Sequence, residues 1–195
     1  MKTASRLLIA LAAALAAGPA LAHSGHGDAH GLAHGFLHPL MGLDHVLAMV
    51  GVGLVAAKIG GRGIVLVPLA FLGMMVVGGI LGATGYGLPF VEIGIALSVL
   101  GVGLALVSAL SPPLLVATAA VGLFAVFHGQ AHGTEMPETA SGLIYGLGFV
   151  AATALLHAAG LALGLGFRRM TSDPALRLTG AGFAVAGLGL LAGAV

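Results

Sequence analysis

The sequence predicts an all-α protein, a polytopic bundle of about six transmembrane helices that follows a cleavable signal peptide. Three observations carry that expectation. The 195 residues are 59% hydrophobic and only 7% charged, with a mean hydropathy of +1.14, against roughly 25% charged residues in a typical soluble domain. Apolar runs of about 20 residues, the length that crosses a hydrocarbon core, recur along the chain. The 34 glycines suit helices packed in lipid, where small residues let backbones approach closely.

The same composition excludes several functions. There is no cysteine, which rules out disulfides, thiolate metal sites and cysteine nucleophiles. A net charge of +1 with no basic stripe leaves no footprint for nucleic acid, so the lipid bilayer is the expected large-scale partner. Nine histidines are unusual in so apolar a chain and point toward metal chemistry.

Residues 1–22 have the layout of a secretory signal: Lys2 and Arg6, the apolar run Leu7 to Ala17, then Ala20-Leu21-Ala22 before a cleavage point. An uncleaved first helix is the alternative. Cleavage after Ala22 would place the new N-terminus outside, in the periplasm of a bacterium. Residues 23–35 then form a histidine-rich tail containing His23, His26, His30 and His34. His26, His30, His34 and His38 recur every four residues and would form one stripe in a helix, but Gly27, Gly31 and Gly35 argue for a flexible segment. Such a tract can collect divalent metal; a solvated leader without function is the other reading.

The bundle, residues 36–195, divides into spans near 36–57, 63–83, 89–110, 113–132, 139–166 and 174–194. Lys58, Arg62, Arg168, Arg169 and Arg177 fall in or beside alternate loops, and the opposite loops carry no Lys or Arg. The positive-inside rule puts those basic loops in the cytoplasm of an inner membrane and the mature N-terminus in the periplasm, in agreement with the signal peptide.

Within the first span lies the anomaly His38-Pro39-Leu40-Met41-Gly42-Leu43-Asp44-His45. An Asp at the centre of a transmembrane helix costs about 2.5–3.5 kcal/mol on insertion scales, so a polar partner or permeant ion is expected. At about 100° per residue, His38, Gly42 and His45 share a helix face over two turns. Pro39 suits a first helical turn, which places His38 at the mouth with Asp44 and His45 deeper. Gly42 leaves room for a neighbouring helix or an ion. The alternative is a polar cluster that only ties helices together.

A second motif, His128-Gly129-Gln130-Ala131-His132-Gly133-Thr134-Glu135, sets His128, His132 and Glu135 on one helical face. Imidazole and carboxylate at that spacing can hold one divalent ion. It is not the zincin pattern, because Gly129 stands where the catalytic Glu would be. Histidines at a wet helix end are the alternative. Glu92, four residues into the third span, is either a further ligand or an interfacial carboxylate. By depth, Glu92 and both motifs fall in the outer half of the membrane, and their convergence in space is the central expectation. His157 lies further in and is expected to hydrogen-bond a neighbouring helix, with an exit path as the alternative. Met41, Met49, Met74 and Met75 read as packing residues, and Tyr86 and Tyr145 as interfacial or packing residues. His30 to Gly35 and His128 to Gly133 share H-G-x-A-H-G, two similar local solutions or a chance match rather than a fold repeat.

With His38-Pro39-x-x-Gly42-x-Asp44-His45, Pro89-x-x-Glu92 with Ser98, and His128-Gly129-x-Ala131-His132-Gly133-x-Glu135, the sequence resembles the HupE/UreJ family of bacterial nickel/cobalt permeases. The resemblance runs from about Phe36 to Gly166 and includes Tyr145-Gly146-Leu147-Gly148-Phe149. It implies import of nickel or cobalt across the inner membrane for hydrogenase or urease maturation. It carries over His38, Asp44, His45, His128, His132 and Glu135 as transport residues, with Glu92 beside them.

The mechanism expected on that basis has the tail capture the ion, His38 receive it, and Asp44, His45, His128 and His132 replace part of its water shell. Protonation of imidazole below about pH 6 should weaken uptake. No catalytic residue and no resident cofactor is expected, the metal being cargo. The rivals are an intramembrane zinc hydrolase, with His38, His45 and His128 on the metal and Asp44 or Glu135 activating water, and a metal-binding sensor or chaperone subunit. Nickel or cobalt, passive or proton-coupled transport, and monomer or homo-oligomer are left open.

Overall fold

The computed structural model describes residues 28–136, 141–169 and 173–193. The expected signal peptide, His23 and His26 lie outside the described residues. Among the described residues there are seven α-helices and no strand. They are α1 (Asp28–Leu37), α2 (Leu43–Ile59), α3 (Gly63–Ala83), α4 (Val91–Val107), α5 (Leu114–Thr134), α6 (Gly142–Arg169) and α7 (Asp173–Leu191), with a 3-10 turn at His38–Leu40 between α1 and α2.

Helices α2 to α7 fall on the six expected spans. Four segments, Gly63–Ala83, Leu114–Thr134, Gly142–Arg169 and Pro174–Leu191, are long and apolar enough to cross a membrane alone, and α1 with α2 makes a fifth as a bent pair. The 17 residues of α4 sit at the lower limit of about 17 for a span. Its ends are set by Phe90, which turns into the helix with a left-handed backbone (φ 60°), and by Ser108, which leaves it in an extended conformation (φ −53°, ψ 140°). Large apolar side chains such as Leu69, Ile80, Leu104, Leu115, Leu123 and Val185 are exposed, the pattern of a bundle whose outer surface meets lipid.

Helix α2 is the axis of the molecule, buried without interruption from Gly51 to Ala57. On one side Met49, Val52 and Ala56 pack with Val67, Phe71 and Met75 of α3, Ala117, Val121 and Ala125 of α5 and Phe149 of α6. On the other side Ala48, Leu54 and Val55 pack with Val99, Val102 and Leu106 of α4 and Leu176 and Phe183 of α7. The dominant pairings are α3 with α5, α4 with α7 and α2 with α6. Glycines make these pairs close. A Cβ at Gly129 would collide with the Met75 carbonyl, one at Gly78 with that of Val126, and one at Gly53 with that of His157.

Two expectations are corrected here. The segment from Asp28 to Leu37 is a helix and not a flexible tail. Its Gly35 meets the Tyr145 carbonyl, and Gly148 of α6 meets the Leu32 carbonyl, so the packing that glycine permits outweighs its low helix propensity. The first span is also not one helix from residue 36. The chain turns by 81° between Gly31–Leu40 and Leu43–Ile59, because Pro39 lacks an N–H and Gly42 takes an extended conformation (φ −97°, ψ 121°) ahead of α2. His38 and His45 therefore do not share a helical face.

The close seam between α2 and α6 yields a stability prediction. Gly53→Ala should destabilise the detergent-solubilised protein by about 1–3 kcal/mol through overpacking, seen as a lowered Tm. Gly146→Ala, where an added Cβ meets nothing within 4 Å, should leave Tm unchanged or slightly raised. Equal effects at the two positions would contradict the packing described.

Candidate metal centre

The turn at Met41–Gly42 brings the polar residues of the first motif over the end of α5. Asp44 is in the first turn of α2, and its Oδ1 accepts a hydrogen bond from the His45 backbone N–H at 2.8 Å while lying 2.8 Å from His45 Nδ1. A Cβ on residue 42 would be 2.7 Å from Asp44 Oδ1 and 3.0 Å from His45 Nδ1. Gly42 thus makes room for this carboxylate–imidazole pair; the expectation was that it admits a neighbouring helix or an ion, and no neighbouring helix meets it.

Helix α5 persists through Thr134, which sets His128 and His132 one turn apart, both buried, with Glu135 at the C-cap. The His45 ring lies between them, its centroid 4.2 Å from His132 and 5.0 Å from His128. The His38 ring is 4.8 Å from His132. His38 Nε2 lies 3.0 Å from Glu135 Oε2, which is 4.0 Å from His132 Nδ1. One ligand atom from each of His38, His132 and Glu135 falls within 4.8 Å of the others. Two groups therefore adjoin: a half-open one of His38, His132 and Glu135, and a buried one of His45, His128 and His132.

Hydrogen bonding assigns the protons on the buried imidazoles. Ser98 Oγ lies 2.6 Å from the Ile95 carbonyl oxygen and 2.8 Å from His128 Nε2. A carbonyl only accepts, so the hydroxyl donates to Ile95 and its oxygen accepts from His128 Nε2–H. The lone pair of a neutral His128 is then on Nδ1, which is buried with no hydrogen-bond partner. The Asp44 carboxylate likewise takes the proton on His45 Nδ1 and leaves the lone pair on Nε2, also buried and unpartnered. Neither ring nitrogen of His132 has a hydrogen-bond partner.

Three adjoining rings thus carry nitrogens that the protein does not satisfy. Buried polar atoms are nearly always bonded, and neutral imidazole nitrogen is a common ligand for divalent transition metals. A carboxylate behind such an imidazole fixes its orientation and raises its basicity. Aromatic rings close the surroundings: Phe149 lies 4.1 Å from His132, Phe71 5.6 Å from His128 and Tyr145 6.0 Å from His38, centroid to centroid.

Of the sequence candidates, His38, His45, His128, His132 and Glu135 meet directly, and Asp44 joins them through His45 rather than as a separate corner of the site. Glu92 does not join them; it is exposed in the first turn of α4, where a carboxylate suits the positive end of the helix dipole. His30 falls within α1, and His34 is exposed on that helix. His157 is also corrected: it is buried, yet neither ring nitrogen hydrogen-bonds to any neighbouring helix.

Several contributing residues were not singled out for these roles. Ser98 is the one hydroxyl on the buried face of α4, among Gly94, Ile95, Val99 and Val102, and that i,i+3/i+4 pattern was its signal. Tyr145, Phe149, Thr153 and His157 recur every four residues along α6 and are all buried. Their spacing marks a single stripe.

The HupE / UreJ protein family model matches residues 11–190. The chain is 42% identical over 155 residues to Protein HupE of Rhizobium leguminosarum bv. viciae, a stretch covering 80% of this chain and 81% of that protein. No solved structure shows a significant match. A family match over nearly the whole chain, together with a relative this similar, places the protein in the HupE/UreJ family.

Proposed function

We propose that the protein is a permease that imports a divalent transition-metal ion, nickel or cobalt, across a bacterial inner membrane. The observation that carries the reading is the group of touching imidazoles from α2 and α5, His45, His128 and His132, each of which holds at least one buried ring nitrogen without a hydrogen-bond partner. In an apolar interior such nitrogens favour a cationic guest able to accept their lone pairs.

Orientation follows from charge. Lys58 and Arg168 with Arg169 lie in the last turns of α2 and α6, and Arg62 caps the start of α3, all remote from the histidine centre; the positive-inside rule makes that end cytoplasmic. The histidine centre then opens toward the periplasm, with His38 and Glu135 as its half-open mouth. An arriving ion exchanges water for His38, Glu135 and His132, then for His45 and His128. His132 belongs to both groups, so the ion can pass from one to the other without losing every protein ligand.

Imidazole and carboxylate ligands suit nickel and cobalt, and selectivity against copper must come from geometry, because intrinsic affinity favours copper. A site of mostly neutral ligands also holds the ion loosely enough to release it, as permeation requires. Both carboxylates near the centre face imidazoles, Asp44 toward His45 and Glu135 toward His38, which favours ion handling over water activation.

Purified protein in vesicles loaded with a nickel-quenched fluorophore tests the reading. Wild-type vesicles should take up external Ni2+ or Co2+, and Asp44→Asn should slow uptake by about 10–100-fold by weakening the support of His45. Uptake at the wild-type rate in that variant would remove Asp44 from the mechanism. Hydrolysis of a peptide or lipid without ion flux would replace the permease with an enzyme. Ser98→Ala should weaken equilibrium Ni2+ binding by about tenfold, because the His128 proton loses its acceptor; unchanged binding would refute the proton assignment.

A further inference from the structure

Inward of the three-imidazole centre lies a buried histidine that the proposed mechanism does not use. His157 is 2% exposed, and both its ring nitrogens are buried without a hydrogen-bond partner. It lies on α6 two turns, about 12 Å, past Phe149, which touches His132. It also precedes Arg168 by about 16 Å along the same helix. His157 is thus inward of the centre and well short of the cytoplasmic end.

Its neighbours link it to the centre. The Phe71 ring stands 5.0 Å from the His157 ring, edge to face at 89°, and 5.6 Å from the His128 ring. A single aromatic side chain therefore touches both the innermost imidazole of the centre and His157. One turn toward the periplasm, the Thr153 hydroxyl lies 3.0 Å from the Phe149 carbonyl oxygen and 3.7 Å from Met75 Sδ. The stripe Tyr145, Phe149, Thr153 and His157 descends α6 past His38, His132, Met75 and Phe71 in turn. It ends at His157, beyond which this side of the core is lined by Ala56, Val67 and Ala117.

We infer that His157 is a second, inner imidazole station for the divalent cation, reached from His128 past the Phe71 ring. The inference rests on the permease reading. An ion leaving His128 for an apolar interior would have no replacement for the ligand it gives up. An unprotonated nitrogen on His157 supplies one on the cytoplasmic side of Phe71, and the thioether of Met75 lies beside the route as a soft donor. A histidine kept only to fill space would leave two polar atoms unsatisfied where Leu or Phe would leave none.

The test uses full-length protein, with Ni2+ as the probe, in the same vesicles and in detergent. His157→Leu should slow uptake at least tenfold while equilibrium Ni2+ binding stays within twofold of wild type and Tm is maintained, because the outer centre is intact. His157→Met, which restores a donor, should recover part of the rate, and His157→Phe should not. Wild-type uptake in the leucine variant overturns the inner station and leaves the permease reading standing. Parallel loss of binding, Tm and uptake, with no recovery by methionine, also overturns it in favour of a packing role. Should the leucine variant fail to fold, the methionine and phenylalanine variants decide: equal rates overturn the inference, and a faster methionine variant supports it. Absence of uptake by the wild-type protein overturns the permease reading and the inner station together.

Discussion

The architecture depends on backbones being able to touch. Where α3 crosses α5, the carbonyls of Met75 and Val126 occupy space that a side chain at Gly129 or Gly78 would fill. Where α2 crosses α6, the Val50 and His157 carbonyls do the same at Gly160 and Gly53. In lipid no hydrophobic force drives helices together, so close van der Waals contact along such seams supplies the association. The seams also set the radial position of the imidazoles. Gly129 and Gly133 turn one face of α5 flat against α3, and His128 and His132, on the same stretch, are directed toward α2 and α6.

Proton placement inside the centre follows from two neighbours. The Ile95 carbonyl takes the only proton Ser98 has, which obliges Ser98 to accept from His128; the Asp44 carboxylate obliges His45 to donate through Nδ1. In each case the opposite ring nitrogen is left bare in a region with little water. A polar group in that state is costly in an apolar medium, and the remedy compatible with this geometry is a guest that accepts electron pairs. Burial and charge thus act together, since the low dielectric that makes bare nitrogens unfavourable also strengthens their attraction to a dication.

The spans were legible because 20-residue apolar runs separated by basic or Pro-Gly segments need no tertiary information. The six helices α2 to α7 accordingly fall where hydropathy puts them. The depth of His38, His45, His128, His132 and Glu135 could be read in the same way. What could not be read was direction around each helix axis. Glu92 shares the depth of the other candidates yet faces away from them, while Ser98, two turns later on the same helix, faces in. The break at Met41–Gly42 was hidden because Pro39 fits the first turn of a long helix as well as a short 3-10 turn. Helix α1 was hidden for a different reason: its two glycines lower local propensity, and the partner that compensates them lies more than a hundred residues away, at Gly148.

At the end of the bundle remote from the histidines, Lys58 Nζ donates to the carbonyls of Ala105 and Ser108, each at 2.6 Å, and Arg168 Nη1 donates to the carbonyl of Ala57 at 2.8 Å. Those carbonyls lie at the ends of α4 and α2, so two of the cations on which the positive-inside reading rests also fasten three helices together. Orientation and closure of that end are consequently written into the same residues. Neutralising either charge to probe topology would therefore unfasten a helix terminus as well, so a loss of stability would accompany any change of orientation.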